Sequence, residues 1–173
     1  TGAASALLPP TLVTRLSEES FREALIVHFS CISNGLDERC AITFMDLAAS
    51  EIRSWADCVR MPIEVRDFSE IFSDLRVLVN KHLNHPYQAV DILAWFNRAD
   101  LWRKPDRTQA ILNLADKLGM NVLPLVNAMR NTQAINTAEI IASIAAEDRS
   151  NGERIGSAFE AARLAAITAA LES

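Results

Sequence analysis

Residues 98–107, with the sequence RADLWRKPDR, bring four cations and a tryptophan together in an acidic chain. Arginine makes bidentate contacts to phosphate oxygens, and lysine offers a compact positive charge to the same partner. Cations at this density are therefore candidates for contacts to the phosphate backbone of a nucleic acid. The candidate residues are Arg98, Arg103, Lys104 and Arg107.

The same segment also fits the boundary between two helices, with no ligand involved. Leu101 and Trp102 would anchor the boundary in the core. Pro105 suits the first position of a new helix, and Asp106 would be an acid in its first turn. The residue types alone favour neither interpretation over the other.

The sequence lacks the patterns that usually carry catalysis. It has no Gly-x-Ser-x-Gly motif, no glycine-rich phosphate loop and no Asp-x-Asp pair. His82 and His85 lie three residues apart, but no further histidine or cysteine stands near them, so exposed residues at a helix break are the better interpretation. His28 lies in an apolar stretch and is interpreted as a core or boundary residue. We predict no catalytic residue and no metal site.

Composition and charge limit the class of protein. The chain has 173 residues, half of them apolar, and a net charge of -5. That charge argues against a protein that grips nucleic acid with its whole surface, because phosphate binding depends on clustered Lys and Arg. Residues 60–107 are the exception, with eight cations against seven anions. A local basic patch in this segment remains compatible with the composition.

The sequence also bears on location. Three cysteines without a Cys-x-x-Cys pair favour a reducing, cytoplasmic setting. No apolar run reaches 18 residues, so we expect no membrane partner. The chain begins TGAASALLPP, without methionine, which suggests that it is processed or excised. Whether it is a fragment of a longer protein is left open by the sequence.

Helical periodicity recurs along the chain, and strand alternation does not. We predict an all-α protein, a compact bundle of about seven or eight helices, with Val90, Leu93, Ala94 and either Trp95 or Phe96 facing the core from the fourth. One or two helices are expected between residues 121 and 146. The others are predicted from Ser17 to Ile32, Ala41 to Val59, Ile63 to Leu83, Pro86 to Asn97, Pro105 to Gly119 and Gly152 to Leu171.

Two motifs extend the pattern around the cations. Residues 60–67 carry R-x-P-x-x-x-R-D, and residues 100–107 carry D-x-W-R-K-P-x-R. Together they resemble the C-terminal half of bacterial CCA-adding tRNA nucleotidyltransferases, strongly between residues 59 and 119 and loosely elsewhere. Within the strong range, Ala115, Asp116 and Gly119 match a further family element, although Met120 stands where that element has an arginine. The looser matches beyond it are Gly152, Ile155, Arg163 and Ile167.

Many members of that family carry a metal-dependent phosphohydrolase subdomain of the His-Asp (HD) type ahead of this segment. The motif of that subdomain is R-F-A-x-L-x-H-D-L-G-K. When it is aligned with this chain, its histidine falls on His28, but Phe29 replaces the aspartate that binds the metal. Phenylalanine has no donor oxygen. We therefore predict that residues 1–83 form a degenerate, metal-free HD-like subdomain and that residues 84–173 form a helical body and tail.

The resemblance implies a function for the whole. The chain would be the C-terminal tRNA-binding region of an enzyme that adds or repairs the CCA end of tRNA, with the four cations as phosphate contacts. The polymerising head of the family, which uses Mg²⁺, CTP and ATP, lies N-terminal to this segment. We therefore expect no cofactor in this chain, and tRNA as its partner.

A second hypothesis needs no nucleic acid. The alanine-rich C-terminal helices, from Thr137 to Ala146 and from Gly152 to Leu171, could pair with a partner helix or with a second copy of the chain. The protein would then be a non-catalytic interaction or dimerisation domain. A working phosphodiesterase is disfavoured, because its ligands are missing.

Overall fold

All the regular structure is helical in the residues that the computed structural model describes, which are 36–44, 47–59 and 61–172. Eight α-helices occur there, with one turn of 3₁₀ helix at Ala146–Asp148. The predicted all-α fold is confirmed. The helices are α1 Leu36–Phe44, α2 Ala49–Val59, α3 Ile63–Lys81, α4 Ala89–Ala99, α5 Pro105–Lys117, α6 Leu123–Gln133, α7 Thr137–Ser143 and α8 Gly152–Glu172.

The predicted single helix over residues 41–59 is wrong, because the chain breaks around Leu47. The carbonyl of Leu47 accepts a hydrogen bond from the Ser73 hydroxyl of α3. The carboxylate of Glu51 accepts one from the Ala48 N–H at 2.8 Å and so caps the start of α2. The break lets α1 and α2 bury apolar side chains in one small cluster against the start of α3. The helix predicted over residues 17–32 lies outside the described residues.

Helix α3 is the centre of the fold, since it packs against α1, α2, α4 and α5. Its apolar side chains recur every three or four residues, the spacing of one helix face. They face the large core that α4, α5, α6 and α8 complete. The boundary predicted between residues 83 and 84 stays a prediction. The core residues of α3 are Phe68, Ile71, Phe72, Leu75, Leu78 and Val79.

The core face of α4 agrees only in part with the predicted one. Leu93 is buried as predicted, and Trp95 and Phe96 are both buried where one of the two was expected. Val90, however, is 61% exposed, and Ala94 is also exposed. At 100° per residue, positions 90 and 94 point away from the buried stripe, whose centre is set by the larger side chains that meet α3. The buried residues of α4 are Ile92, Leu93, Trp95, Phe96 and Ala99.

Helix α8 closes the bundle by packing against α4, α6 and α7. Of its residues, Ile167 and Ala170 are buried. Within the described part of the chain, no helix has the length and apolar character needed to cross a membrane.

His82 is buried at the end of α3, which corrects the prediction that both His82 and His85 are exposed. One ring nitrogen lies 2.9 Å from the Pro86 carbonyl oxygen, and the other lies 3.0 Å from a carboxylate oxygen of Asp91. The ring also stacks on Tyr87, with 4.9 Å between centroids. These contacts tie α3 to α4, whereas His85 is exposed.

The turn after α5 requires a glycine. Gly119 has a φ of +79°, in the left-handed region. Its N–H donates to the Asp116 carbonyl at 2.9 Å, and the Met120 N–H donates to the Ala115 carbonyl at 3.0 Å. This pattern ends a helix on a left-handed residue, where a side chain adds strain. Gly156, by contrast, lies within α8, and a methyl group there would meet open space.

We predict opposite effects of alanine at these two glycines. Gly119→Ala should lower the free energy of unfolding by about 1 kcal/mol, because alanine is strained at positive φ. Gly156→Ala should raise it by about 0.8 kcal/mol, because alanine favours a helix interior. Chemical denaturation of the two variants measures both values, and a change of the same sign in both would contradict this assignment.

Candidate nucleic-acid interface

The turn between α4 and α5 begins with a left-handed residue. Asp100 has φ 58° and ψ 42°, and its N–H donates to the Asn97 carbonyl at 3.1 Å. The Leu101 N–H donates to the Phe96 carbonyl at 3.0 Å, and the Leu101 side chain is buried. This is the hydrogen-bonding pattern of a Schellman helix end, with an aspartate at the position usually taken by glycine. It reverses the chain sharply after α4.

Asp100 also organises the cations that follow it. Its carbonyl accepts hydrogen bonds from the N–H groups of Arg103 and Lys104, at 3.1 and 2.8 Å. Its two carboxylate oxygens lie 2.9 Å from Nε and 2.9 Å from Nη2 of Arg103. The hydrogen bond from Arg103 lowers the pKa of the Asp100 carboxyl, against a smaller opposing effect of burial. Asp100 therefore holds Arg103 by a bidentate contact at the surface.

Arg103 and Lys104 point to solvent. The Arg103 side chain is 82% exposed, and Lys104 is exposed without an ion pair to any described residue. Both line a groove of about 540 Å³ between α3 and the start of α5. Among the described residues, three cations and two acids line this groove, which gives it a net positive charge in an acidic chain. The charged lining residues are Glu64, Arg103, Lys104, Asp106 and Arg107.

The start of α5 adds a partial positive charge to this groove. Pro105 occupies the first turn, as predicted, and the side chain of the N-cap residue, Lys104, makes no capping hydrogen bond. The N-terminus of an α-helix attracts anions through its free N–H groups and its dipole. Asp106, in the same turn, offsets part of this attraction.

Arg98 is turned toward the body of the protein. Its Nη2 donates to Oε2 of Glu70 at 2.9 Å, and its Nε donates to Oδ2 of Asp74 at 3.2 Å. These bonds join α4 to α3. The Arg98 side chain is 42% exposed. It is both a structural tie and a partly accessible cation.

Glu70 is the residue that the sequence analysis missed. Its side chain is 1% exposed, and Arg53 of α2 binds both of its oxygens, at 3.1 and 2.8 Å. Burial alone would raise the pKa of Glu70, but the hydrogen bonds and charges of Arg53 and Arg98 together outweigh it, so the pKa lies below its ordinary value. The spacing of Arg66, Glu70 and Asp74, four residues apart on α3, was the available signal.

Arg107 is mostly buried and fastens α5 to the end of α4. Its Nη2 donates to the Ala99 carbonyl at 2.7 Å, and its Nη1 lies 4.0 Å from Oδ2 of Asp67. Cations stabilise the carbonyl end of a helix, which carries a partial negative charge. Arg107 therefore caps α4 from the next helix, with its edge in the groove.

Trp102 lies at the side of the turn and is half-buried. Its Nε1 donates to the Asn97 side-chain oxygen at 2.8 Å, and its ring meets Phe96 edge-on at 6.3 Å between centroids. The guanidinium of Arg163 lies over the Trp102 ring, 3.7 Å from the centroid. Leu101 is thus a core anchor as predicted, while Trp102 links the turn to α8.

The residues that carry the degenerate HD-like motif, His28 and Phe29, lie outside the described residues. In the described ranges, no group of three or more His, Cys, Asp or Glu side chains is arranged to hold a metal ion. The alanine-rich α8 uses one face within the chain. Its outer face exposes Ala161, Ala165 and Ala169.

No protein-family model, curated protein or solved structure matches this chain. The resemblance to CCA-adding nucleotidyltransferases therefore stays a prediction from the motifs.

We predict that Glu70→Gln lowers the free energy of unfolding by about 1.5–3 kcal/mol near neutral pH, the contribution of hydrogen bonds to a charged group. The folded protein binds the Glu70 proton less tightly than the unfolded chain, because the folded pKa lies below the ordinary value of 4.5. The contribution is therefore complete above that value and is lost as the pH falls through the lower folded pKa.

Denaturation of wild type and variant at a series of pH values measures this difference. Glu64→Gln is the matched control, because Glu64 is an exposed acid on the same helix. A Glu70→Gln effect that stays constant down to acid pH would contradict the ionic role of this carboxylate.

Proposed function

We propose that the turn between α4 and α5 binds the phosphate backbone of RNA, and that the RNA is tRNA. The observation that carries the proposal is the pair Arg103 and Lys104, exposed side by side at a groove of net positive charge. A chain with net charge -5 gains little from cations spread over its surface, so a local concentration of this kind is where phosphate would bind.

The four predicted cations would take different parts in binding. Arg103 and Lys104 would make the direct phosphate contacts. Arg98 and Arg107 already bind oxygen atoms of Glu70, Asp74 and the α4 carbonyl end. A phosphate would have to share these two arginines with their present partners. Their role as phosphate contacts stays a prediction, and we assign them first to holding the turn in place.

The motifs around the turn support tRNA as the substrate class. R-x-P-x-x-x-R-D and D-x-W-R-K-P-x-R resemble those of the C-terminal half of CCA-adding tRNA nucleotidyltransferases. In this proposal the chain is the tRNA-binding helical region of such an enzyme. The nucleotide addition, with Mg²⁺, CTP and ATP, would be performed by a separate head. Phosphate contacts position the RNA without reading its sequence.

We predict that Arg103→Ala and Lys104→Ala each weaken tRNA binding. Each lost phosphate contact should reduce the slope of log affinity against log salt by about 0.7–0.9, because fewer counterions are released. Fluorescence anisotropy with labelled tRNA at several salt concentrations measures both quantities. Arg154→Ala is the matched control, because it removes one exposed cation on α8.

Equal binding by wild type and by the double variant Arg103→Ala/Lys104→Ala would contradict the proposed interface. A stable dimer that ignores tRNA, detected by light scattering, would favour instead the dimerisation domain suggested by the alanine-rich helices.

We predict that Asp100→Asn strengthens tRNA binding. Asparagine tolerates the left-handed backbone of residue 100, but it cannot hold Arg103 in an ion pair. The released guanidinium should raise the affinity by up to about fivefold, the equivalent of one surface ion pair. Asp116→Asn is the control, because it removes one exposed acid at the other end of α5. A gain of the same size in both variants would show that only net charge matters.

A further inference from the structure

A second cavity, of about 250 Å³, adjoins the cationic groove. Pro105 lines both cavities. Of two consecutive residues in the turn, Trp102 lines the second cavity and Arg103 lines the cationic groove. The turn therefore separates a charged groove from a pocket with two aromatic side chains. Aromatic, polar and charged side chains line this pocket, among them Trp102, Gln133, Thr137, Phe159 and Arg163.

Arg163 lies close to two aromatic rings at the edge of this pocket. Its guanidinium lies 3.7 Å from the Trp102 centroid and 5.7 Å from the Phe159 centroid. It makes no hydrogen bond or ion pair with any residue in the described part of the chain. Burial lowers the pKa of Arg163, while Glu160 acts in the opposite direction. The group carries a planar cation whose N–H donors are used by none of the residues that the structure describes.

These features match an unpaired nucleobase. Unpaired RNA bases stack on aromatic rings and on arginine guanidinium planes, and their edges form hydrogen bonds with polar side chains. Gln133 supplies an amide with both donors and an acceptor, and Thr137 supplies a hydroxyl. The pocket is smaller than the sites of drug-sized ligands, which suits a single base.

We propose that this pocket receives one unpaired base of an RNA strand whose phosphates lie along Arg103 and Lys104. The inference rests on the proposed function, because the phosphate contacts bring the strand to the pocket. It goes further by predicting that single-stranded RNA gains a contact that duplex RNA lacks, since paired bases are not free to enter. Phe159 and Arg163 would be base contacts, and Arg103 and Lys104 would remain phosphate contacts.

The test compares oligoadenylate with a blunt RNA duplex of equal length, using the full chain. Phe159→Ala removes one stacking ring, and Arg163→Lys keeps the charge but removes the planar face. Both should weaken binding of the single strand by at least about fivefold, the lower range of base stacking. Both should leave the salt slope and the duplex affinity unchanged. Phe159→Tyr is the control, because it keeps an aromatic ring.

Tryptophan fluorescence supplies a second readout. Oligoadenylate should quench the wild type, and most of that quenching should be lost in Trp102→Phe, which keeps an aromatic contact to Phe96. Circular dichroism checks that each variant is folded.

The outcomes separate this inference from the proposed function. Duplex binding that depends on Arg103 and Lys104, with no effect of Phe159→Ala or Arg163→Lys on the single strand, would overturn the base pocket alone. Equal losses for duplex and single strand in these two variants would also overturn it. No binding of either RNA by the wild type would overturn both.

Discussion

The buried carboxylate of Glu70 is the interaction on which the arrangement of the turn depends. Removing a carboxylate from water is costly unless charged partners hold it. Arg53 from α2 and Arg98 from α4 supply those partners, so three helices meet at one side chain. Arg98 is two residues before the left-handed Asp100, so its ion pair with Glu70 also sets where the α4–α5 turn leaves the bundle.

The ten residues from Arg98 to Arg107 divide their work between architecture and surface. Arg98 and Arg107 bind the acids of α3 and the carbonyl end of α4, and Leu101 enters the core. That scaffold leaves Arg103 and Lys104 in solvent. The helix-boundary and phosphate-contact interpretations of the segment are thus compatible, since they concern different residues. The proposed phosphate site, built on such a fixed turn, would lose little conformational freedom on binding.

The sequence predicted the helices with an uninterrupted apolar stripe and a proline at the start, such as α3 and α5. It did not predict the break at Leu47, because residues 41–59 keep a helical pattern and the partner of the Leu47 carbonyl, Ser73, lies on another helix. It also predicted the cations as one set. Which of them turn inward depends on acids far along the chain, and the contact of Arg163 with Trp102 is equally remote in sequence. A local sequence pattern does not predict contacts between residues that lie so far apart in the chain.

Backbone amide shifts in an NMR titration with tRNA test the central claim most directly, because they locate the contact without any substitution. The largest changes are expected at residues 102–110 and at residues 64–68, which face each other across the groove. They should weaken together as salt is raised, as phosphate contacts do. Changes centred instead on the outer face of α8, with none at the α4–α5 turn, would contradict the account.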